Sequence, residues 1–171
     1  MVKLEVVKDS IVNLEVKAIV NAANSELLRG VGVCGAIFSC AGFELDRECN
    51  EIGRCDVGEA VITKGYNLKA KYVIHTVAPK WYDFRLENKE KLLQNCYENS
   101  LKIAIQTGIK TIAFPCIGTG IYQCPLDLGC NYAFEEALKY QEYFDQIIFV
   151  CFREEEYTVY QEKMKTLDKW K

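Results

Sequence analysis

Short apolar runs alternate with longer segments of helical periodicity along the whole chain. Near the start, apolar and polar residues alternate as in an edge strand, whereas the later runs are almost wholly apolar, as in buried strands. A Gly65-Tyr66-Asn67 turn joins two runs rich in β-branched residues. The pattern predicts six strands, at Lys3–Val7, Ala18–Ala22, Glu59–Lys64, Tyr72–Val77, Thr111–Phe114 and Gln146–Cys151.

Glycines mark the ends of the segments with helical spacing. Gly42 and Gly108 follow the last apolar positions of two such segments, and Pro125 suits the first turn of another helix. Glu154–Glu156 places negative charge in the first turn of the last helix, where the helix dipole favours it. The predicted helices are Val33–Ala41, Phe43–Glu51, Asn88–Gln106, Pro125 to about Tyr143, and a closing helix that carries Tyr157, Tyr160, Met164 and Leu167.

The alternation of strands and helices sets the predicted fold class. Strands separated by helices form a largely parallel sheet that is covered on both faces. We therefore expect an α/β protein with three layers, α/β/α, around a mixed, mostly parallel sheet. The 171 residues fit one domain of ordinary size, so we predict a single domain over residues 1–171.

The composition bears on where the protein is located and on what class of partner it binds. Every apolar run is interrupted before the roughly 18–20 residues that a membrane span needs, and the first eight residues do not resemble a signal peptide. We expect a cytoplasmic monomer without membrane contact. A net charge of -3 leaves no broad basic face, which argues against a nucleic-acid partner.

The cysteines favour packing over metal binding. The chain has nine cysteines, no Cys-x-x-Cys pair and one histidine, so no zinc pattern is present. An odd number of cysteines without an export signal indicates reduced thiols that pack as small hydrophobes. We predict neither a metal site nor a cofactor.

Two glycine-rich loops follow predicted strands. One runs from Asn21 to Gly35 and the other from Cys116 to Tyr122. Successive N–H groups in such loops and at a helix N-terminus bind anions without cationic side chains, which suits an acidic protein. Gly30, Gly32 and Gly35 also match G-x-G-x-x-G, but seven residues separate them from the strand, which argues against a dinucleotide-binding fingerprint. The remaining alternative is a pair of ordinary glycine turns.

Several segments resemble one known family. The string Ala18-Ile-Val-Asn21-Ala-Ala-Asn24-Ser resembles the hallmark of the macrodomain family. The similarity to MacroD-type (Appr-1''-p processing, ADP-ribose-binding) members runs from about residue 2 to residue 167. It includes segments that resemble their central strands and second ligand loop, at Gly58–Thr63, Gly65–Leu68, Ala70–Val77 and Phe114–Tyr122.

The resemblance implies a site for ADP-ribose across the strand ends. Asn24 is expected to bond the distal ribose, both loops to wrap the diphosphate, and Phe152 to stack on adenine, with a core residue as the alternative for Phe152. The candidate ligand-binding residues are Asp9, Ser10, Ile11, Asn24, Gly30, Val31, Gly32, Val33, Cys34, Gly118, Thr119, Gly120, Ile121, Tyr122 and Phe152. The candidate catalytic residues are Asn24, Gly32 and Cys34.

Three positions depart from the family pattern. MacroD-type members usually carry Asp where this chain has Cys34, and His where it has Phe38. Both family residues have supporting roles in hydrolysis, although alphavirus macrodomains resemble this chain in having Cys, and viral members without the Asp still hydrolyse ADP-ribosyl esters. An ungapped register places Ser10 where the family has the Asp that meets adenine, and Asp9 lies one residue earlier.

Two functional classes follow from these residues. The first is a hydrolase that removes mono-ADP-ribose from acidic side chains or deacetylates O-acetyl-ADP-ribose, with Cys34 as a nucleophile in the less favoured mechanism. The second is a reader that binds ADP-ribose or mono-ADP-ribosylated protein without turnover. His75, in mid-strand, is expected to be a core histidine, and Asn21 is expected to brace the loop backbone. The acidic balance weakens a third class, RNA or poly(ADP-ribose) binders.

Overall fold

A six-stranded sheet forms the middle layer of the protein, whose computed structural model describes residues 2–168. The strand order is β1-β6-β5-β2-β4-β3, and every neighbouring pair is parallel except β3 with β4. β1 is an edge strand, as its alternating pattern predicts. The strands are β1 Lys3–Lys8, β2 Ala18–Ala22, β3 Ala60–Lys64, β4 Tyr72–Thr76, β5 Thr111–Phe114 and β6 Gln146–Cys151.

Five α-helices cover the sheet, which confirms the predicted three-layer α/β/α fold. Each strand agrees with its prediction to within one residue at either end. The fourth helix ends before its predicted limit, because Gln141–Tyr143 tightens into a 3-10 turn, a common helix ending. The helices are α1 Gly32–Ala41, α2 Phe43–Ile52, α3 Lys89–Gln106, α4 Leu126–Tyr140 and α5 Glu154–Asp168. None of those in residues 2–168 is long and apolar enough to cross a membrane.

Hydrophobic side chains fill both faces of the sheet. Successive residues of a strand point to opposite faces, so Phe149 joins the cluster under α3, α4 and α5, and Ile148 joins the cluster under α1 and α2. This arrangement explains why the central strands are apolar runs without alternation. All nine cysteines are free thiols, and seven are buried, in agreement with a packing role.

The path of the chain at the sheet centre opens a cleft. β2 and β5 are parallel neighbours, and the segments that follow them leave on opposite faces. The chain after β2 leads to α1 on one face, whereas the chain after β5 leads to α4 on the other. Ligands bind at such topological switch points, outside the carboxyl ends of the strands.

An aromatic cluster around Phe134 anchors α4 and α5 to the sheet. The Phe134 ring is fully buried and its centroid lies 4.7 Å from that of Phe149 and 5.9 Å from that of Tyr160. We expect Phe134→Ala to lower the free energy of unfolding by about 3–5 kcal/mol in urea denaturation, because the cavity cannot collapse fully. The control Phe84→Ala removes a ring that is 96% exposed and should cost less than about 0.5 kcal/mol. Equal losses in both variants would contradict this packing.

Candidate ligand-binding site

A cleft of about 440 Å³ lies at the carboxyl ends of β2, β5 and β6. This volume falls within the range of small-molecule sites. Eleven of the fifteen candidate ligand-binding residues line it: Asn24, Gly30, Val31, Gly32, Val33, Cys34, Gly118, Gly120, Ile121, Tyr122 and Phe152. Asp9, Ser10, Ile11 and Thr119 lie outside its lining.

The first glycine loop ends in the N-terminus of α1, which begins at Gly32. A Cβ atom on Gly35 would lie 2.6 Å from the Gly30 carbonyl oxygen, so only glycine permits this close approach of helix and loop. The N–H groups of Gly32, Val33 and Cys34 belong to the first helical turn and have no intrahelical acceptor. They lie at the cleft wall and provide donors for an anion.

Asn24 holds the beginning of the first loop. Its Nδ2 donates to the Leu28 carbonyl at 2.8 Å, and its Oδ1 accepts from the Leu28 N–H at 3.0 Å. An amide group has two N–H donors and two acceptor lone pairs, so one of each is left for another partner. Asn24 thus lines the cleft and also fixes the loop backbone.

The second glycine loop turns sharply at Gly118. This residue has φ +77°, and an added Cβ would lie 2.8 Å from Cys124 Sγ and 3.0 Å from Ala78 Cβ. The Cys124 N–H donates to the Gly118 carbonyl at 2.9 Å and closes the turn. Thr119 points inward, where its hydroxyl donates to the Cys116 carbonyl at 3.1 Å, which is why its side chain is absent from the cleft wall.

Tyr122 ends the second loop on the cleft wall. Its carbonyl accepts the Trp81 N–H at 2.8 Å, and Lys80 Nζ lies 5.6 Å from the ring centroid. Burial raises the pKa of the Tyr122 hydroxyl, and the positive charge of Lys80 opposes this effect. Near neutral pH the hydroxyl is therefore protonated and able to donate and to accept a hydrogen bond.

The exposed Phe152 ring lies at the other end of the cleft, directly after β6. Its 71% exposure excludes the alternative of a core residue. Asp9 lies beside this strand end, since its N–H donates to the Cys151 carbonyl at 3.0 Å. Its Oδ1 accepts from Asn13 Nδ2 and from the Ser10 N–H, and these bonds lower the pKa of Asp9.

Ser10 and Ile11 follow Asp9 into a 3-10 turn over Ile11–Asn13. Ile11 is buried in the cluster under α1 and α2, which is why it does not reach the cleft. Ser10 is the N-cap of the turn and its hydroxyl makes no capping bond. The structure therefore places these two residues next to the aromatic end of the cleft rather than in it.

Sequence reasoning missed two charged residues that line the cleft, Arg153 and Glu156. Glu156 lies in the first turn of α5 as predicted, but its carboxylate is turned back toward the strand end, where it accepts two backbone N–H groups. A glutamate at the third position of a helix commonly bonds back to the N-cap residue. The position of Glu156 as the third residue of α5 is therefore the sequence feature that indicates this contact.

His75 is a fully buried core histidine, as its mid-strand position predicts. Its Nδ1 lies 3.0 Å from Asn21 Nδ2 and its Nε2 lies 2.9 Å from Thr63 Oγ1. The prediction that Asn21 braces the loop backbone is wrong. Asn21 lies opposite His75 in the parallel register, so its amide meets this ring and, at 3.7 Å, Cys34 Sγ instead. Its Oδ1 has no partner among residues 2–168.

Cys34 is present as a neutral thiol. Burial raises the pKa of Cys34, and its S–H donates to the Leu28 carbonyl at 3.6 Å. Only the thiolate is a good nucleophile, so this environment argues against covalent catalysis. Within residues 2–168, no group of three or more His, Cys, Asp or Glu side chains is arranged to hold a metal ion.

Burial of the single histidine predicts a defined loss of stability in mild acid. Burial lowers the pKa of His75 from 6.5 to about 4. Between these two pKa values the His75 ring binds a proton in the unfolded chain but not in the folded chain. The contribution of neutral His75 to the free energy of unfolding is therefore fully present above about pH 6.5 and is lost as the pH falls toward about 4. From about pH 7 to about pH 5 we expect His75 to account for a loss of about 2 kcal/mol.

Urea denaturation at both pH values, with His75→Gln as the control, measures this contribution. In His75→Gln, the free energy of unfolding should fall by about 2 kcal/mol less between the two pH values than it does in the wild type. In NMR spectra of the native protein, the chemical shifts of the His75 ring should stay constant above about pH 5. A ring that titrates near its ordinary pKa would contradict the buried, neutral assignment.

Comparison with known proteins places the chain in a family. The Macro domain family matches residues 20–133, more than half of the chain. A macro domain-containing protein of Chlorobaculum tepidum is 45% identical over 166 residues, which cover 95% of this chain and 96% of that protein. The ADP-ribose glycohydrolase MACROD2 of Xenopus laevis is also 45% identical over 166 residues, but these cover 95% of this chain and only 40% of that protein.

Solved structures agree with the sequence comparison. A point mutant of the Oceanobacillus iheyensis macrodomain, solved with ADPR, has a TM-score of 0.90 and 37% sequence identity, and the match covers 97% of this chain and 94% of that one. Fold, family match and near full-length relatives together show that the chain belongs to the macro domain family.

Proposed function

We propose that the cleft binds ADP-ribose. The main support is that one cleft is lined by the α1 N-terminus, the second glycine loop and the exposed Phe152 ring. The diphosphate would accept N–H groups from both loops, adenine would stack on Phe152, and the distal ribose would meet Asn24 and Tyr122. This use of backbone donors explains how a protein with a net charge of -3 holds an anion. The relative solved with ADPR supports the same ligand class.

The proposed reaction is hydrolysis of ADP-ribosyl esters, either on acidic side chains or in O-acetyl-ADP-ribose. The name of the MACROD2 relative supports a hydrolase, although the matched region is less than half of that protein. Cys34 and Phe38 replace the usual Asp and His, so catalysis would depend on holding the substrate and a water molecule in the reactive geometry. In this mechanism the substrate's own phosphate orients a water, and Asn24, Gly32 and the loop N–H groups hold the distal ribose while charge develops.

A reader of mono-ADP-ribosylated protein is the second candidate function. The observation in its favour is that, among the described residues 2–168 that line the cleft, no carboxylate or imidazole is free to act as a general base. Glu156 is held by backbone N–H groups and Arg153, and Cys34 is a thiol with a raised pKa. A cytoplasmic location and a monomeric state stay predictions from the sequence under either function.

Calorimetric titration with ADP-ribose tests the binding proposal. Asn24→Ala removes the loop brace and the ribose contact, and we expect at least about a tenfold rise in Kd. In Gly120→Glu the new side chain has room, since no atom lies within 4 Å of the added Cβ, yet its negative charge faces the diphosphate and should abolish measurable binding. The control Asn50→Ala changes an exposed side chain of α2 and should bind as wild type does. Wild-type protein that fails to bind would refute the proposal.

Turnover of a Glu-linked ADP-ribosylated protein separates the hydrolase from the reader. We expect the label to be released by wild type, and Cys34→Ala to slow release by less than about tenfold, whereas the loss of a true nucleophile can cost about 10⁶-fold. A Cys34→Ala variant that binds ADP-ribose but releases nothing would restore the covalent mechanism. Binding without release by wild type would identify a reader.

A further inference from the structure

One carboxylate organises the backbone at the aromatic end of the cleft. Oε1 of Glu156 accepts the backbone N–H of Phe152 at 3.2 Å and that of Arg153 at 2.9 Å. Glu156 is only 7% exposed and lines the same cleft as the Phe152 ring. Since that ring projects into solvent, the two bonds fix the backbone from which it extends.

Arg153 connects this carboxylate to the second glycine loop. Its Nη2 lies 3.3 Å from Glu156 Oε2 and donates to the Thr119 carbonyl at 3.3 Å. Its Nη1 pairs with Glu155 at 2.6 Å on the outer side, where the Glu155 side chain is 64% exposed. Phe152, Glu156, Arg153 and Thr119 thus form one chain of contacts, the Glu156 brace, from the aromatic position to the loop.

We propose that Glu156 is a positioning residue of the ADP-ribose site, an inference that rests on the proposed function. Glu156 holds Phe152 where adenine stacks and, through Arg153, holds the second glycine loop where the diphosphate binds. Its oxygens are occupied by N–H groups and a guanidinium, so it acts through these groups rather than on the ligand. A site ordered before the ligand arrives loses less conformational entropy on binding and therefore binds more tightly.

A helix cap is the alternative role for Glu156. Glu156 is the third residue of α5, and a glutamate there commonly bonds the N–H of the N-cap residue. A cap explains the bond to Arg153, but it requires neither the second bond to Phe152 nor the guanidinium contact with Thr119. The two roles differ in what they control, because a cap sets the stability of α5, whereas a positioning residue sets affinity and its coupling to Phe152.

Calorimetry with ADP-ribose, combined with thermal unfolding of each protein, separates the two roles. Glu156→Ala should raise Kd by about tenfold, and it should add little to Phe152→Ala, because both changes remove the same platform. Glu156→Gln keeps an acceptor for the N–H groups but weakens the interaction with the Arg153 guanidinium. Its Kd should therefore lie between those of wild type and Glu156→Ala. Glu155→Ala is the matched control, with the same charge and the same Arg153 partner but no backbone bond, and should change Kd by less than about twofold.

Each outcome bears on one claim. Wild-type protein that does not bind ADP-ribose contradicts the proposed function itself. Wild-type affinity in both Glu156→Ala and Glu156→Gln, with a lower unfolding temperature, identifies a helix cap and overturns only this inference. The inference is also overturned if the losses of binding free energy in Phe152→Ala and Glu156→Ala add up to the loss in the double variant. If Glu156→Ala does not fold, Glu156→Gln with and without Phe152→Ala decides by the same criteria.

Discussion

The divergence of the chain after two parallel neighbours, β2 and β5, is the constraint on which the site depends. Hydrogen bonds of the ladder hold the two strands side by side, and the segments that follow them must cover opposite faces of the sheet. A gap therefore opens at their carboxyl ends. The same geometry directs the first glycine loop into the N-terminus of α1 and returns the second loop across the cleft. Both hydrophobic clusters are needed, because each fixes one wall.

The chemistry of this cleft depends on main-chain groups more than on ionised side chains. Gly32, Val33 and Cys34 contribute N–H groups that have no acceptor within α1, and burial raises the pKa of the Cys34 thiol, which keeps it neutral. Beneath them His75 is also neutral, since burial lowers the pKa of its imidazole to about 4. An anion beside the α1 N-terminus thus meets helix and loop dipoles, whereas the charged residues Arg153 and Glu156 lie at the aromatic end of the cleft. This account fits an acidic macrodomain that lacks the usual Asp and His of MacroD-type members.

Local patterns predict the fold, whereas contacts distant in sequence decide the details of the site. Strand bounds follow from apolar runs and β-branched residues, and loop glycines follow from the turns that need them, which is why both could be anticipated. The partner of Asn21 could not, because it depends on the register of β2 with β4, which brings His75 opposite. The bonds from Glu156 to the Phe152 and Arg153 N–H groups are local, and the place of Glu156 in the first turn of α5 favours them. The contact of Arg153 with the Thr119 carbonyl is distant in sequence, so only the structure shows that Glu156 is connected to the second glycine loop.

The central claim is that backbone N–H groups of two loops hold the diphosphate of ADP-ribose. Amide NMR spectra recorded during titration with ADP-ribose test it most directly. The account predicts that the amide resonances of Gly32–Cys34 and Gly118–Tyr122 shift on binding. Those of Thr107–Lys110, which precede β5 and so lie at the end of the sheet opposite the cleft, should not shift. Saturable binding that leaves both loop segments unshifted, or shifts concentrated at Thr107–Lys110, would contradict the account.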